Sequence, residues 1–242
     1  LVLFCAGGRP WRLRPGRACA GHTEIQAIKS VCREECRFHT SVDVQRSDST
    51  SFEHLRSFSN RPKDEVIVPG DLLHVDIGIT YLRLNTDIQQ HAYVLRPGEK
   101  ELPASLQQAF TKANRLQDIL TSNFALGRTG NQILAASLAQ AKSEGIKASI
   151  YTHPLGFHGH AAGPTIGMWD QQGGVPGSGD FPLNYNTAYS IELNAASFIP
   201  EWKKEIRIML EEDGYFDASG FRYIHGRQRA VFLVNRPKAA IF

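Results

Sequence analysis

Two runs of β-forming residues, DLLHVDIGITYL (71–82) and TDIQQHAYVL (86–95), stand about three residues apart and constrain the fold more than any other stretch. Pro69-Gly70 precedes the pair and Pro97-Gly98 follows it. Turn residues therefore bound both runs, and the spacing predicts an antiparallel hairpin. Each strand carries an aspartate in its interior, Asp76 and Asp87. Aspartate is a poor strand former, so two inside otherwise good strands ask for a reason. With side chains alternating along the first strand, Leu73, Val75 and Ile77 share one face, and Asp76 joins Leu72, His74 and Gly78 on the other. On the hairpin alone, a pair of exposed or capping acids is the plainer explanation.

Downstream, Leu106, Phe110, Ala113, Leu116, Leu120 and Phe124 recur every three to four residues. They predict an amphipathic helix over 103–126, closed by Gly127. A second helix is expected from about Asn131 to Glu144, ending at Gly145. Upstream, Ile25, Ile28 and Cys32 have helical spacing, which places a helix near 23–38, followed by a polar loop from Ser47 to Arg61. Beyond Gly145 the chain returns to strand candidates: KASIY, TAYSIEL, KEIRIML closing on a Glu212-Asp213-Gly214 turn, Tyr215–Tyr223 and Ala230–Val234. Strands, two long helices and strands again make a single α+β domain.

Charge is unevenly placed. The first 22 residues hold four arginines (Arg9, Arg12, Arg14, Arg17) and no acid, which leaves 23 basic residues against 24 acids in the remainder. The body is therefore close to neutral, and the formal +3 of the whole chain is no argument for a nucleic-acid surface. No run of about 18 apolar residues exists, so no membrane-spanning helix is expected. The chain opens on Leu1, and its short apolar stretch precedes the arginines, the reverse of a signal peptide. Residues 1–22 are expected to be a poorly ordered, atypical start, and 23–242 the functional domain. All four cysteines (Cys5, Cys19, Cys32, Cys36) fall in the first 36 residues. Only Cys32 and Cys36 approach the spacing of a structural zinc site, so no such site is expected. Location is not legible, and cytoplasmic stands as the default.

The remaining chemistry lies in the second half. THPLGFHGHAAGP (152–164) packs His153, His158 and His160 into eight residues beside several glycines. Histidine clusters serve in metal ligation and proton transfer. Glu192 interrupts TAYSIELNA and Glu205 opens EIRIML, where Ile206, Ile208 and Leu210 take one face and Glu205, Arg207 and Met209 the other. Asp76, Asp87, His153, Glu192 and Glu205 together form an oxygen-rich set with one nitrogen. That set suits Mn²⁺, Co²⁺, Fe²⁺ or Zn²⁺, and is acidic enough to hold two ions.

In order and spacing these motifs resemble the pita-bread metallopeptidase family of methionine aminopeptidase, aminopeptidase P and prolidase, over about Gly21 to Val234. Gly70-Asp71 precedes the hairpin, and Asp76-Ile77-Gly78 through Asp87 matches the family's D-x-G … D pattern. His153 and His160 keep its seven-residue interval between ligand and substrate histidines. Ile191-Glu192 matches its I-E pair, and Glu205, seven residues before Glu212, matches its last ligand.

The resemblance implies a curved antiparallel β-sheet flanked by helices, here without the family's first helix. It implies two divalent metal ions (Mn, Co, Zn or Fe) on Asp76, Asp87, His153, Glu192 and Glu205. It also implies hydrolysis of a short peptide by a hydroxide between the ions. Glu192 would act as general base and then acid, and His160 and His54 would donate to the carbonyl oxygen. His74 and His91 are expected to support the strands or the carboxylates. HVDIGITYLRLNTDIQQHAYVLRPGE is nearer in wording to prolidase and aminopeptidase P, which points to Xaa-Pro substrates, and a homodimer is expected. Two positions depart from the pattern: Ala161 follows His160 where glutamate is usual, and Lys203 stands where an arginine is common. Three readings compete: a creatinase-like C–N hydrolase using no metal, a non-enzymatic scaffold, and an inactive fragment. The five intact ligand positions count against the first.

Overall fold

The computed structural model describes residues 37–47, 66–81, 84–156, 159–160 and 162–235. The expected hairpin is present. Strand β1 (Arg37–Gln45) pairs antiparallel with β2 (Leu72–Tyr81), which pairs antiparallel with β4 (Ile88–Val94). A two-residue β3 (Leu84–Asn85) extends the β2 end, and β13 (Phe232–Val234) joins the far edge in parallel with β4. The hairpin register sets His74 opposite His91 and Asp76 opposite Gln89. Arg37 and Phe38, expected at the end of the first helix, instead begin β1. The rest of that helix, the cysteines and residues 1–22 lie outside the described residues, as does most of the Ser47–Arg61 loop.

Helix α1 (Ala104–Ser122) turns Leu106, Ala109, Phe110, Ala113, Leu116, Ile119 and Leu120 inward, the stripe its spacing calls for. It stops at Asn123, short of the expected Leu126. Phe124 still enters the core beyond the helix, its ring 5.2 Å from those of Tyr189 and Phe221. Helix α2 (Gly130–Ser143) starts on a reciprocal cap between Thr129 and Gln132, which satisfies two otherwise orphaned N–H groups. Among the described residues no helix is long and apolar enough to cross a membrane.

Two further sheets complete the α+β fold. One runs β10 (Lys204–Leu210), β9 (Leu193–Ile199), β5 (Lys147–Ile150), with α1 packed on β9 and β10. The other runs β12 (Gly220–Tyr223), β11 (Asp213–Asp217), β8 (Thr187–Ser190), β6 (His153–Gly156), β7 (Gly159–His160).

Two expectations fail here in the same way. TAYSIEL is broken at Ile191-Glu192, and Glu212-Asp213-Gly214 is not a turn, because Asp213 begins β11. Leu210 pairs with Leu193 in one sheet and Asp213 with Ser190 in the next, which is one unbroken register. Two long strands thus pass side by side from sheet to sheet, with Glu211-Glu212 opposite Ile191-Glu192 at the crossing. The Ile191 N–H donates to the Glu212 carbonyl there at 2.9 Å. Gly214 just beyond the crossing is needed for close packing, since a Cβ would overlap the Phe221 ring.

Candidate metal centre

The crossing, the hairpin and the start of β6 converge. Asp76 comes from β2, Asp87 from the residue before β4, and His153 from the first position of β6. Glu192 comes from the break between β8 and β9, and Glu211 from the break between β10 and β11. Ligand atoms within 4.8 Å of one another form three overlapping sets: Asp87, His153 and His160; His153, Glu192 and Glu211; Asp76, Asp87 and Glu211.

Glu205 is the correction. It is exposed at the far end of β10, where the Lys147 Nζ lies 2.7 and 2.9 Å from its two carboxylate oxygens. Six residues of extended chain separate it from Glu211, about 20 Å, so it cannot join the cluster. The acid that does is Glu211, 2% exposed. The signal was present: three consecutive acids following an apolar strand. Glu-Asp-Gly has turn composition, so local sequence predicts a turn where the chain continues as strand. His160 lies beside His153, ring centroids 4.0 Å apart. His54 and His158 lie outside the described residues.

His153 is buried and carries the clearest signature. Its Nδ1 lies 3.2 Å from the Pro154 carbonyl and must donate to it, so Nε2 keeps its lone pair. That Nε2 is buried with no hydrogen-bond partner among the described residues. It faces Glu211 Oε1 at 3.7 Å, Asp87 Oδ2 at 3.8 Å and Glu192 Oε2 at 4.0 Å. Burial holds the imidazole below its usual pKa and hence neutral.

The carboxylates shift the other way. Burial, then the neighbouring charges of Glu211 and Asp76, push Asp87 up to about 8. Glu211 is also pushed up to about 8, mainly by burial, although the Ser190 hydroxyl donates to its Oε1. Glu192 is raised by burial and by Glu211. The adjacent Glu212 and Asp213 are raised to about 7 and about 6, each chiefly by burial.

Surrounding groups hold these side chains in place. The Asp87 N–H donates to Asp213 Oδ1 at 3.1 Å. The Glu192 carbonyl accepts from the Tyr151 N–H and the Thr152 hydroxyl, both at 3.0 Å. His91, pushed down to about 3 by burial, is neutral and ties the Leu73 and Met209 backbones together. Its role is structural, one of the two expected for it.

Crowded acids that resist ionisation, with an imidazole lone pair aimed among their oxygens, are repulsive as they stand, and a cation between them reverses the sign. Four carboxylates and one imidazole fit hard or borderline divalent ions. A surface groove of about 300 Å³ elsewhere, bordered by Ser105, Lys112, Ser197 and Glu201, offers no comparable set.

The model of metallopeptidase family M24 matches residues 19–215, a span that includes all five converging residues. The fold is similar to that of X-Pro aminopeptidase from Thermotoga maritima MSB8, with TM-score 0.59 and 19% identity over 81% of this chain and 49% of that one. It is also similar to a dipeptidase from Pyrococcus horikoshii OT3, with TM-score 0.58 and 17% identity over 81% and 48%. A third likeness is to the N-terminal domain of FACT complex subunit SPT16 from Eremothecium gossypii, with TM-score 0.60 and 12% identity over 83% and 44%. The chain spans about half the length of these proteins. No curated protein matches it in sequence.

Proposed function

The chain belongs to metallopeptidase family M24, and on that premise we propose that it hydrolyses short peptides as a metal-dependent aminopeptidase or dipeptidase with Xaa-Pro substrates. The observation that carries this reading is the buried His153 Nε2, unpartnered among the described residues and facing oxygens of Glu211, Asp87 and Glu192 within 4.0 Å. The fold alone does not choose a function, since it is shared by an X-Pro aminopeptidase and a FACT subunit. The side chains at the crossing support the peptidase reading.

Asp76, Asp87, His153, Glu192 and Glu211 would hold two divalent cations, with manganese among the candidates. Such ions, when bound, lower the pKa of water to near neutrality and polarise a carbonyl. Glu192 takes the proton of the attacking water and returns it to the leaving amine. His160, at the exposed edge beside His153, donates to the carbonyl oxygen as charge develops there. The rings of Tyr151 and His160, centroids 6.1 Å apart, border the same side.

The test is to strip the purified chain of metal, reload it with Mn²⁺, Co²⁺ or Zn²⁺, and assay three substrate types: Xaa-Pro dipeptides, Xaa-Pro-Yaa peptides and Met-Ala peptides. Two equivalents bound with proline-dependent cleavage is the expected result. Failure to bind metal would sink the reading. Binding without cleavage would favour a non-catalytic role for the fold.

A further inference from the structure

Gln89 sits in β4 directly opposite Asp76, 3% exposed, and touches the cluster through both its backbone and its side chain. Its backbone N–H donates to the Glu211 carbonyl at 2.9 Å. Its side-chain nitrogen lies 2.7 Å from Glu211 Oε2 and 3.1 Å from Glu192 Oε1. With a cation bound the two carboxylates would be ionised and could only accept, so the amide nitrogen then has to face them and the amide oxygen to face away. That oxygen meets His74 Nε2 at 2.8 Å, and His74 is therefore the donor. The other ring nitrogen of His74 lies 3.3 Å from Asp43 Oδ2. The amide is thus locked in one orientation from behind.

The oxygens that Gln89 holds are not the ones facing His153. Glu192 Oε2 and Glu211 Oε1 lie 4.0 and 3.7 Å from His153 Nε2, while Gln89 grips Oε1 of the first and Oε2 of the second. A neutral amide makes this grip without neutralising the carboxylates, whereas a lysine in its place would compete with the cation for them.

We propose that Gln89, oriented by His74, is a positioning residue that turns Glu192 Oε2 and Glu211 Oε1 toward the metal ions. This rests on the metallopeptidase reading and deepens it. The experiment titrates Mn²⁺ calorimetrically into the metal-free full chain and into its Gln89→Met variant, which keeps the length and loses the donors. The absorption spectra of both, loaded with Co²⁺, report ligand geometry.

The variant is expected to bind Mn²⁺ about 10- to 100-fold more weakly, as when other groups that orient a metal ligand are removed. Its Co²⁺ bands should shift, and its metal-free form should still fold cooperatively, with an unfolding midpoint lowered by the buried groups left unpaired. Binding within twofold of the parent would overturn the proposal, as would weaker binding with an unchanged Co²⁺ spectrum. If the parent itself takes up no metal, the fault lies with the metallopeptidase reading instead. Should Gln89→Met fail to fold, hydrogen exchange on the Zn²⁺-loaded parent decides. Slow exchange of the Gln89 side-chain amide protons supports the proposal, and exchange as fast as in an exposed glutamine overturns it.

Discussion

Glu192 and Glu211 stand opposite one another in a single antiparallel register, at the point where both of their strands leave one sheet for the next. Like charges directly opposite in a ladder repel. Here Glu211 is buried, Glu192 is partly buried, and the two share one amide donor, Gln89. A cation between them converts that local cost into affinity.

Exchanging the two candidate fifth ligands separates them cleanly. Glu211→Gln is expected to abolish metal retention and hydrolysis together. Glu205→Gln should leave both intact and lower stability by no more than about 1 kcal/mol, the usual worth of an exposed ion pair. Metal content of the purified variants measures this, and the opposite pattern would restore Glu205.

The metal-free chain should lose stability as pH rises from about 6.5 to about 8. Asp87 and Glu211, both raised to about 8, favour the folded state fully below their ordinary carboxylate pKa of about 4. That contribution drains away as pH climbs through the folded values. His91 and His153 act in the opposite sense, but only below about pH 6.5, where they begin to protonate in the unfolded chain. Thermal midpoints in the presence of a chelator should fall across this window. Added Mn²⁺ should remove the fall, and Asp87→Asn should make it shallower. A flat chelated profile would contradict the crowded-carboxylate picture.

In the core, Phe110 on α1 is fully buried. Phe110→Ala should cost about 3–5 kcal/mol in urea unfolding, from lost burial and the cavity left behind. On the exposed face of the same helix, Lys112→Ala should stay within about 0.5 kcal/mol. Equal effects would mean the helix faces are misassigned.

Gly167 has φ +73°, and an added Cβ would overlap the Ile150 carbonyl. Its neighbour Ile166 exchanges two backbone hydrogen bonds with Thr152, the residue before His153. Gly167→Ala should destabilise by about 1–3 kcal/mol or more, the range for strained backbone. Because the strain falls beside His153, Mn²⁺ affinity should weaken too. Unchanged urea unfolding would show that the loop relaxes without strain.

Much of this was legible because short-range periodicity carries it. Alternation marked the hairpin, three-to-four spacing marked α1, and Gly145 marked the end of α2. Asp76, Asp87 and Glu192 stood out as acids within strand-forming runs, and His153 as part of a histidine cluster. What misled was the local meaning of Glu211-Glu212-Asp213-Gly214, whose turn composition hid a strand that passes between sheets. Gln89 left no signal, since one glutamine in a strand is ordinary until its partners are known.

The hairpin, the two helices after it, the near-neutral body beyond residue 22 and four of the five converging residues were legible in the sequence alone. These depend on neighbours within one or two turns or strand steps. Only the tertiary structure decided that Glu211, not Glu205, meets Glu192, and that Gln89 grips them both. That choice depends on strand register, which brings together residues such as Gln89 and Glu211 that are far apart along the chain.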